Sequence, residues 1–221
     1  VESMTRVPMG VTMQQGPGLP FGPQMNERYD NGIVPQGISA ELIADQWDLT
    51  REEIDQLALE SHQRAERATS EGRFEREIVP IEVRNEDGSV ELVTRDEGIR
   101  ATTTLEALAG LKPAFKEDGV VTAGNSSQIT DGAAAVLIMS EEKAAELGLA
   151  PRARFKAFSV VGVDPITMLT GPIPATEKVL SKADLAIDDI DLFEVNEAFA
   201  SVIAAWLRET GADWEKTNVN G

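Results

Sequence analysis

The unbroken apolar run at residues 133–139 restricts the fold of this chain more than any other feature of its sequence. It reads AAAVLIM and follows an Asp-Gly turn signal. An apolar run with no alternating polar residue is typical of a strand that is buried on both faces. Downstream the signals alternate between a helix at 175–183, a strand at 191–195 and a helix at 198–208. The sequence therefore predicts an α/β fold.

Capping signals place two helices in the first half of the chain. Ser39 predicts the start of a helix over 40–47. Thr50, followed by Glu53, forms a capping box ahead of a longer amphipathic helix. That second helix should end at Gly72, because glycine adopts the left-handed conformation that closes helices.

Turn and loop signals complete the local predictions. Asp87-Gly88 between the apolar segments 78–83 and 89–93 predicts a β-hairpin. Glycine and proline are frequent in residues 5–36, which predicts a long ordered loop. Residues 153–163 are rich in strand-forming side chains and predict a further strand.

Composition excludes several classes of function. The 221 residues carry 20 Lys and Arg against 38 Asp and Glu, a net charge of −18, so the field of the protein does not favour nucleic acid. With no cysteine, the chain supplies no disulfide, no cysteine zinc site and no thiol nucleophile. The single histidine, His62, argues against a metal cluster or a serine triad and favours a structural role. We expect no metal site, no membrane span and a cytoplasmic location.

Two turns are candidate ligand sites. Asn196 and Glu197 follow a predicted strand and precede a helix, where an amide can orient a water or carbonyl in an oxyanion site, or simply cap the helix. Residues 124–127, GNSS, form a small-residue turn that admits a close ligand, or an ordinary tight turn with a capping serine. Arg100 follows another turn and can pair with a phosphate or with a nearby carboxylate. These residues alone name no reaction.

Eight short segments, taken in order, resemble the thiolase family of acyl-CoA acyltransferases. They are VESM at 1–4, GRF and EIVP at 72–80, LKPAF at 111–115, TAGNSS through DGAA at 122–134, VGVDP at 161–165, GPIPA at 171–175, NEAFA at 196–200 and NVNG at 218–221. The resemblance implies a thiolase-like layered α/β fold, present in part, with an inserted loop domain. Residues 1–120 would be mainly the CoA-binding loop domain, 121–151 the returning part of the N-terminal half, and 152–221 the start of the C-terminal half.

The resemblance also implies an activity. Thiolases cleave a 3-ketoacyl-CoA with CoA, or run the reverse Claisen condensation, through an acyl-cysteine. In the family the nucleophilic cysteine lies upstream of the segment resembling residues 1–4, and the Gly-His-Pro histidine and a second cysteine lie downstream of the segment resembling 218–221. We therefore expect an internal fragment that is inactive alone and whose parent is a homodimer or homotetramer. CoA and acyl-CoA would be substrates, with no tightly bound cofactor.

Two other classes of function stay open at this point. The first is a catalytically inactive thiolase-like protein that binds acyl-CoA or lipid. The second is an unrelated α/β ligand-binding domain, which requires the eight ordered matches to be coincidence. The retained Asn196 favours the enzyme over the inactive binding protein.

Site residues are transferred by the resemblance, position by position. Asn196 would be catalytic and would hold the water of an oxyanion hole. Arg100 would lie against the adenine nucleotide. The positions along the pantetheine would be Phe115, Ala123 and Ser127, and those near the thioester Ala198 and Phe199. The coenzyme-binding positions are Gln36, Arg100, Thr102, Phe115, Ala123, Ser127, Ala198 and Phe199. Of these, Gln36 stands in PQG, where many biosynthetic members carry HMG. That departure favours a degradative or mycobacterial-type ketoacyl thiolase.

Overall fold

The computed structural model describes residues 1–18, 21–30 and 33–221, and most of their regular structure is helical. The helices are α1 (Val11–Gln15), α2 (Pro23–Arg28), α3 (Gln36–Gln46), α4 (Arg51–Ser70), α5 (Leu105–Ala109), α6 (Glu141–Glu146), α7 (Pro172–Ala183) and α8 (Ala200–Thr210). One hairpin pairs β1 (Ile81–Arg84) with β2 (Val90–Val93). Short 3-10 helices lie at Met168–Thr170, Ile187–Asp189 and Trp214–Lys216.

The Thr50 cap and the Gly72 stop of α4 are confirmed, whereas the Glu53 carboxylate pairs with Arg208 of α8 instead of completing the capping box. Thr50 Oγ1 accepts a hydrogen bond from the backbone N–H of Glu53 at 3.2 Å. Gly72 has a φ of 71° directly after the helix end, as the stop signal predicted. The prediction for Ser39 is wrong, because α3 begins at Gln36, four residues before the predicted start, and its N-cap residue is Pro35, which has extended backbone with a ψ of 151°. Ser39 is instead buried inside α3.

The predicted hairpin is confirmed with shorter strands. Ile81 pairs with Val93 and Arg84 pairs with Val90 in an antiparallel register. Gly88 has a φ of 83° in the turn, which a side chain would disfavour. The loop predicted for residues 5–36 contains the two short helices α1 and α2, and its Pro20 and Gly32 lie outside the described residues.

The three runs predicted as strands downstream of residue 120 do not form strands. Residues 133–139 and 153–163 carry no strand hydrogen-bond ladder, and Val136 is 83% exposed. A strand needs a second segment for its hydrogen bonds, and the described residues offer none to these runs. The segment 191–195 contributes only an isolated parallel bridge between Phe193 and Thr217.

Helix α8 forms the centre of the core. Seven consecutive residues, 200–206, are buried, so the first two turns of this helix are enclosed on every side. The helix packs on α3, α4 and α7, and the Trp206 ring Nε1 donates to Thr176 Oγ1 of α7 at 2.9 Å. The core therefore fixes the N-terminal end of α8, which the NEAF segment precedes.

Within the described ranges, no helix is both long enough and apolar enough to cross a membrane. The same part of the chain contains no group of three or more His, Cys, Asp or Glu side chains that could hold a metal ion.

Candidate functional site

The two candidate ligand turns lie side by side and are hydrogen-bonded to each other. The backbone N–H of Ser127 donates to the carbonyl oxygen of Ala198 at 2.9 Å, and the N–H of Ala200 donates to the carbonyl oxygen of Asn125 at 2.9 Å. Ser126 and Phe199 form an isolated antiparallel bridge between these two bonds. Turns that are distant in sequence therefore make one site.

Asn125 gives the GNSS turn its shape. Its side chain is buried, and Oδ1 accepts from the N–H of Thr122 at 2.8 Å while Nδ2 donates to the carbonyl of Val120 at 3.0 Å. Nδ2 also donates to Oδ1 of the buried Asp55 on α4 at 2.8 Å. Arg51 pairs with the other Asp55 oxygen at 2.6 Å. The turn is thus held by an asparagine that is anchored to α4, and also by Ser126 Oγ, which donates to the carbonyl of Thr122 at 2.6 Å.

A cavity of about 540 Å³ opens beside this turn, between α4, α5 and the start of α8. That volume falls within the range of small-molecule sites. Three of the predicted coenzyme positions line it, namely Arg100, Ala123 and Ser127. The apolar part of its wall includes Leu57, Leu108, Leu111 and Ile203.

His62 also lines this cavity, which the sequence pattern did not predict. Its ring Nδ1 accepts the backbone N–H of Arg100 at 3.2 Å. Burial lowers the pKa of His62, the positive charge of Arg100 lowers it further, and the charge of Glu197 acts in the opposite direction. A neutral ring suits this geometry because a protonated Nδ1 accepts no hydrogen bond. Helical spacing could have indicated this position, because Ala58 and His62 are four residues apart on one helix and therefore face the same cavity wall.

The remaining predicted coenzyme residues lie outside the cavity wall. Phe115 and Phe199 contact each other edge to face, with ring centroids 6.0 Å apart and planes at 79°. Gly37 packs so closely on Phe115 that an added Cβ would lie 2.2 Å from ring carbon Cδ1. Gln36 is exposed at the first position of α3, directly before Gly37 in sequence.

The two remaining predicted coenzyme positions are Ala198 and Thr102. Ala198 is half-buried and offers the carbonyl that receives the N–H of Ser127. Thr102 is exposed and does not line the cavity, whereas the neighbouring Thr103 does. The backbone N–H of Thr103 donates to the carbonyl of Arg100 at 3.0 Å, so this short turn presents one threonine to the cavity.

Asn196 does not cap the following helix. Helix α8 begins at Ala200, its N-cap residue is Phe199, and no side chain accepts a hydrogen bond there. Asn196 is exposed. The capping interpretation is therefore wrong, and an oxyanion role for Asn196 stays a prediction.

Family models and curated relatives match nearly the whole chain. The family described as "Thiolase, N-terminal domain" matches residues 1–142, and "Thiolase, C-terminal domain" matches residues 149–221. A 3-ketoacyl-CoA thiolase of Aliivibrio fischeri is 46% identical over 225 residues, covering 100% of this chain and 57% of the relative. A probable acetyl-CoA acyltransferase of Staphylococcus epidermidis is 49% identical over 233 residues, covering 100% of this chain and 58% of the relative.

Solved structures give the fold. The crystal structure of human mitochondrial 3-ketoacyl-CoA thiolase in complex with CoA matches with a TM-score of 0.81 at 42% identity, covering 90% of this chain and 48% of the human chain. The predicted thiolase-like α/β fold is therefore confirmed, and the chain spans little more than half the length of the curated relatives it matches. Because both family domains match in order and together cover almost every residue, the chain belongs to the thiolase family.

Proposed function

We propose that the protein carrying this chain is an acyl-CoA acyltransferase. It transfers an acetyl or acyl group between CoA thioesters in fatty acid metabolism, by thiolytic cleavage of a 3-ketoacyl-CoA or by the reverse condensation. The observation that carries the proposal is the joining of the 124–127 and 196–199 turns beside a cavity of about 540 Å³. Membership of the thiolase family supports it.

The cavity wall suggests how CoA would lie. Arg100 carries a permanent positive charge suited to the adenine nucleotide and its phosphates. The apolar side chains of α4 and α5 suit the pantetheine arm, with Ala123 and Ser127 of the GNSS turn beside it. Phe115 and Phe199 would enclose the path toward the thioester. We assign CoA and acyl-CoA as substrates and no tightly bound cofactor.

Asn196 would stabilise the developing oxyanion through a water. Its amide donates to that water without losing a proton, so the interaction is available at any working pH. The acyl-cysteine step needs a thiol, and these 221 residues contain none. The complete protein would therefore supply that thiol from outside them.

The decisive test compares the complete natural gene product with the 221-residue chain. Each is assayed for CoA-dependent cleavage of 3-ketoacyl-CoA substrates of several chain lengths. We expect turnover from the complete protein and none from the chain alone, because the chain lacks a nucleophilic thiol. A complete gene that encodes no cysteine would overturn the proposal. CoA binding without thiolysis by the complete protein would instead identify an inactive acyl-CoA-binding relative.

Two further properties belong to the same proposal. We assign the complete protein a homodimeric or homotetrameric state, which light scattering measures directly. We also assign a cytoplasmic location, which fractionation of the source cells tests. A monomer in solution, or recovery from a membrane or organelle fraction, would contradict the respective assignment.

A further inference from the structure

The carboxylate of Glu197 joins three parts of the chain next to Asn196. Its Oε2 accepts a hydrogen bond from Ser61 Oγ of α4 at 2.7 Å. Its Oε1 accepts from Asn218 Nδ2 at 2.6 Å. Glu197 and Ser61 also line the cavity described above. Each oxygen of this carboxylate therefore has its own donor, from a different element.

Asn218 also binds Val195, the residue on the other side of Asn196. Its Oδ1 accepts the backbone N–H of Val195 and its Nδ2 donates to the carbonyl of Val195, both at 2.8 Å. The backbone N–H of Asn218 donates to the carbonyl of Phe193 at 2.9 Å. Asn218 is 2% exposed and has a φ of 45°, a conformation that asparagine tolerates better than most residues.

Asn196 stands between these two anchored neighbours. It is exposed, and its side chain forms no hydrogen bond to any residue that the structure describes. Its position therefore depends on the backbone at Val195 and Glu197, which Asn218 and Ser61 hold. The requirement is strict, because catalytic groups must lie within about 0.5 Å of their productive geometry.

We propose that Glu197, acting with Asn218, is a positioning residue for Asn196. The role is geometric. The Glu197 carboxylate anchors the residue after Asn196 to Ser61 of α4 and to Asn218. Asn218 in turn anchors Val195, the residue before Asn196. This inference rests on the proposed acyltransferase function. It extends that function to two residues that would not touch the reacting thioester.

The chemistry of the contacts separates a geometric role from a charge role. In Glu197→Gln, the amide oxygen can accept from Asn218, and the amide nitrogen can donate to Ser61, whose hydroxyl is able to accept. Both contacts survive while the negative charge is lost. In Asn218→Asp, an oxygen replaces Nδ2 and faces both the Glu197 carboxylate and the Val195 carbonyl, so the connection is broken by repulsion.

The experiment measures kcat and the KM for CoA in the complete protein. We expect Glu197→Ala and Asn218→Asp to lower kcat by roughly ten- to a hundred-fold, less than loss of Asn196 itself, with the KM for CoA changed less than about threefold. Glu197→Gln should recover most of the kcat lost in Glu197→Ala. Glu177→Ala, which removes an exposed carboxylate on α7, is the matched control.

A double-mutant cycle tests whether Glu197 acts through Asn196. In an Asn196→Ala background, Glu197→Ala should produce little further loss of kcat, because the positioned group is already gone. An equal loss in both backgrounds would overturn the proposal, and so would a Glu197→Gln enzyme as slow as Glu197→Ala. If Glu197→Ala fails to fold, Ser61→Ala removes one donor alone and serves in its place. An inactive wild-type protein would refute the proposed function, whereas an active wild type with unaffected variants refutes only this inference.

Discussion

Ser127 donates its backbone N–H to the carbonyl oxygen of Ala198 at 2.9 Å, and this bond joins two turns that belong to different family domains of the chain. A backbone bond of this kind leaves the side chains free to face a ligand. The adjacent carbonyl of Asn125 receives the first N–H of α8, so the same contact also fixes where that helix begins. The surface of the candidate site and the position of α8 are therefore coupled at one place.

Substitution of Asn196 should affect turnover and leave stability unchanged. We expect Asn196→Ala to lower the turnover of the complete enzyme by roughly 10²–10³. Asn196→Asp should be slower still, because it places a negative charge beside the developing oxyanion. Both melting temperatures should stay near that of the wild type, because this exposed residue does not cap α8. Steady-state kinetics and calorimetry check this, and full activity in Asn196→Asp would contradict it.

Loss of Asp55 should destabilise the protein. Asp55→Ala removes the acceptor of both Asn125 Nδ2 and Arg51 Nε in a buried setting. Unpaired buried donors of this kind cost about 3 kcal/mol in the free energy of unfolding. Urea unfolding measures the change. Glu52→Ala, which removes an exposed carboxylate from the first turn of the same helix, should change the free energy by less than about 0.5 kcal/mol. Similar losses in the two variants would show that the Asp55 contacts contribute little.

Gly37→Ala should weaken CoA binding through Phe115. The new Cβ would lie 2.2 Å from the Phe115 ring, so the ring must move away from its contact with Phe199. Overpacking of this kind costs about 1–3 kcal/mol, and a loss of about 1.4 kcal/mol in binding corresponds to tenfold in affinity. We expect the KM for CoA to rise about tenfold. In Gly162→Ala the added Cβ meets nothing within 4 Å, and this variant is the control. Equal KM values in the two variants would contradict a role of Phe115 in coenzyme binding.

His62 should make folding stability depend on pH. Burial, followed by the charge of Arg100, lowers the pKa of His62 below its usual value of 6.5. The unfolded chain therefore binds a proton more readily than the folded one, and stability rises with pH in the interval between the two pKa values. The stabilisation is present above pH 6.5 and is lost as the pH falls through the lowered pKa of the folded state.

The His62→Gln variant isolates this effect. We expect its melting temperature to depend less on pH than that of the wild type in the range below pH 6.5. Glu194 contributes with the opposite sign, because burial and then the charge of Glu197 raise its pKa, and it is present in both proteins. Parallel melting curves for the two proteins across this interval would contradict the role assigned to His62.

Local signals in the sequence were sufficient where the hydrogen bonds are local. Thr50 caps α4 through a bond to a residue three positions away, and Ser140 caps α6 in the same manner. The Asp87-Gly88 hairpin likewise depends on contacts within a few residues. The exception is Ser39, where Pro35 starts the helix before the serine can cap it. Capping and turn chemistry are therefore readable from the chain wherever no nearer signal competes with them.

Residues 133–139 are an example of structure that local sequence signals do not determine. Their apolar pattern is typical of a buried strand, but a strand exists only when another segment pairs with it, and the pairing partner is not encoded in the run itself. For the site, the motif resemblance named Arg100, Ala123 and Ser127, which line one cavity. It did not name His62 or Ser61, whose side chains reach the cavity from α4.

The sequence by itself thus determined the family, the local helices and turns, and the types of residue available for CoA chemistry. Only the tertiary structure decided that the GNSS and NEAF turns form one site and that Val195 and Glu197, on either side of Asn196, are hydrogen-bonded to other segments. These outcomes depend on contacts between distant segments, such as Asp55 with Asn125 and Glu197 with Asn218. Such contacts join separate segments of the chain, and no short sequence pattern specifies how those segments pack.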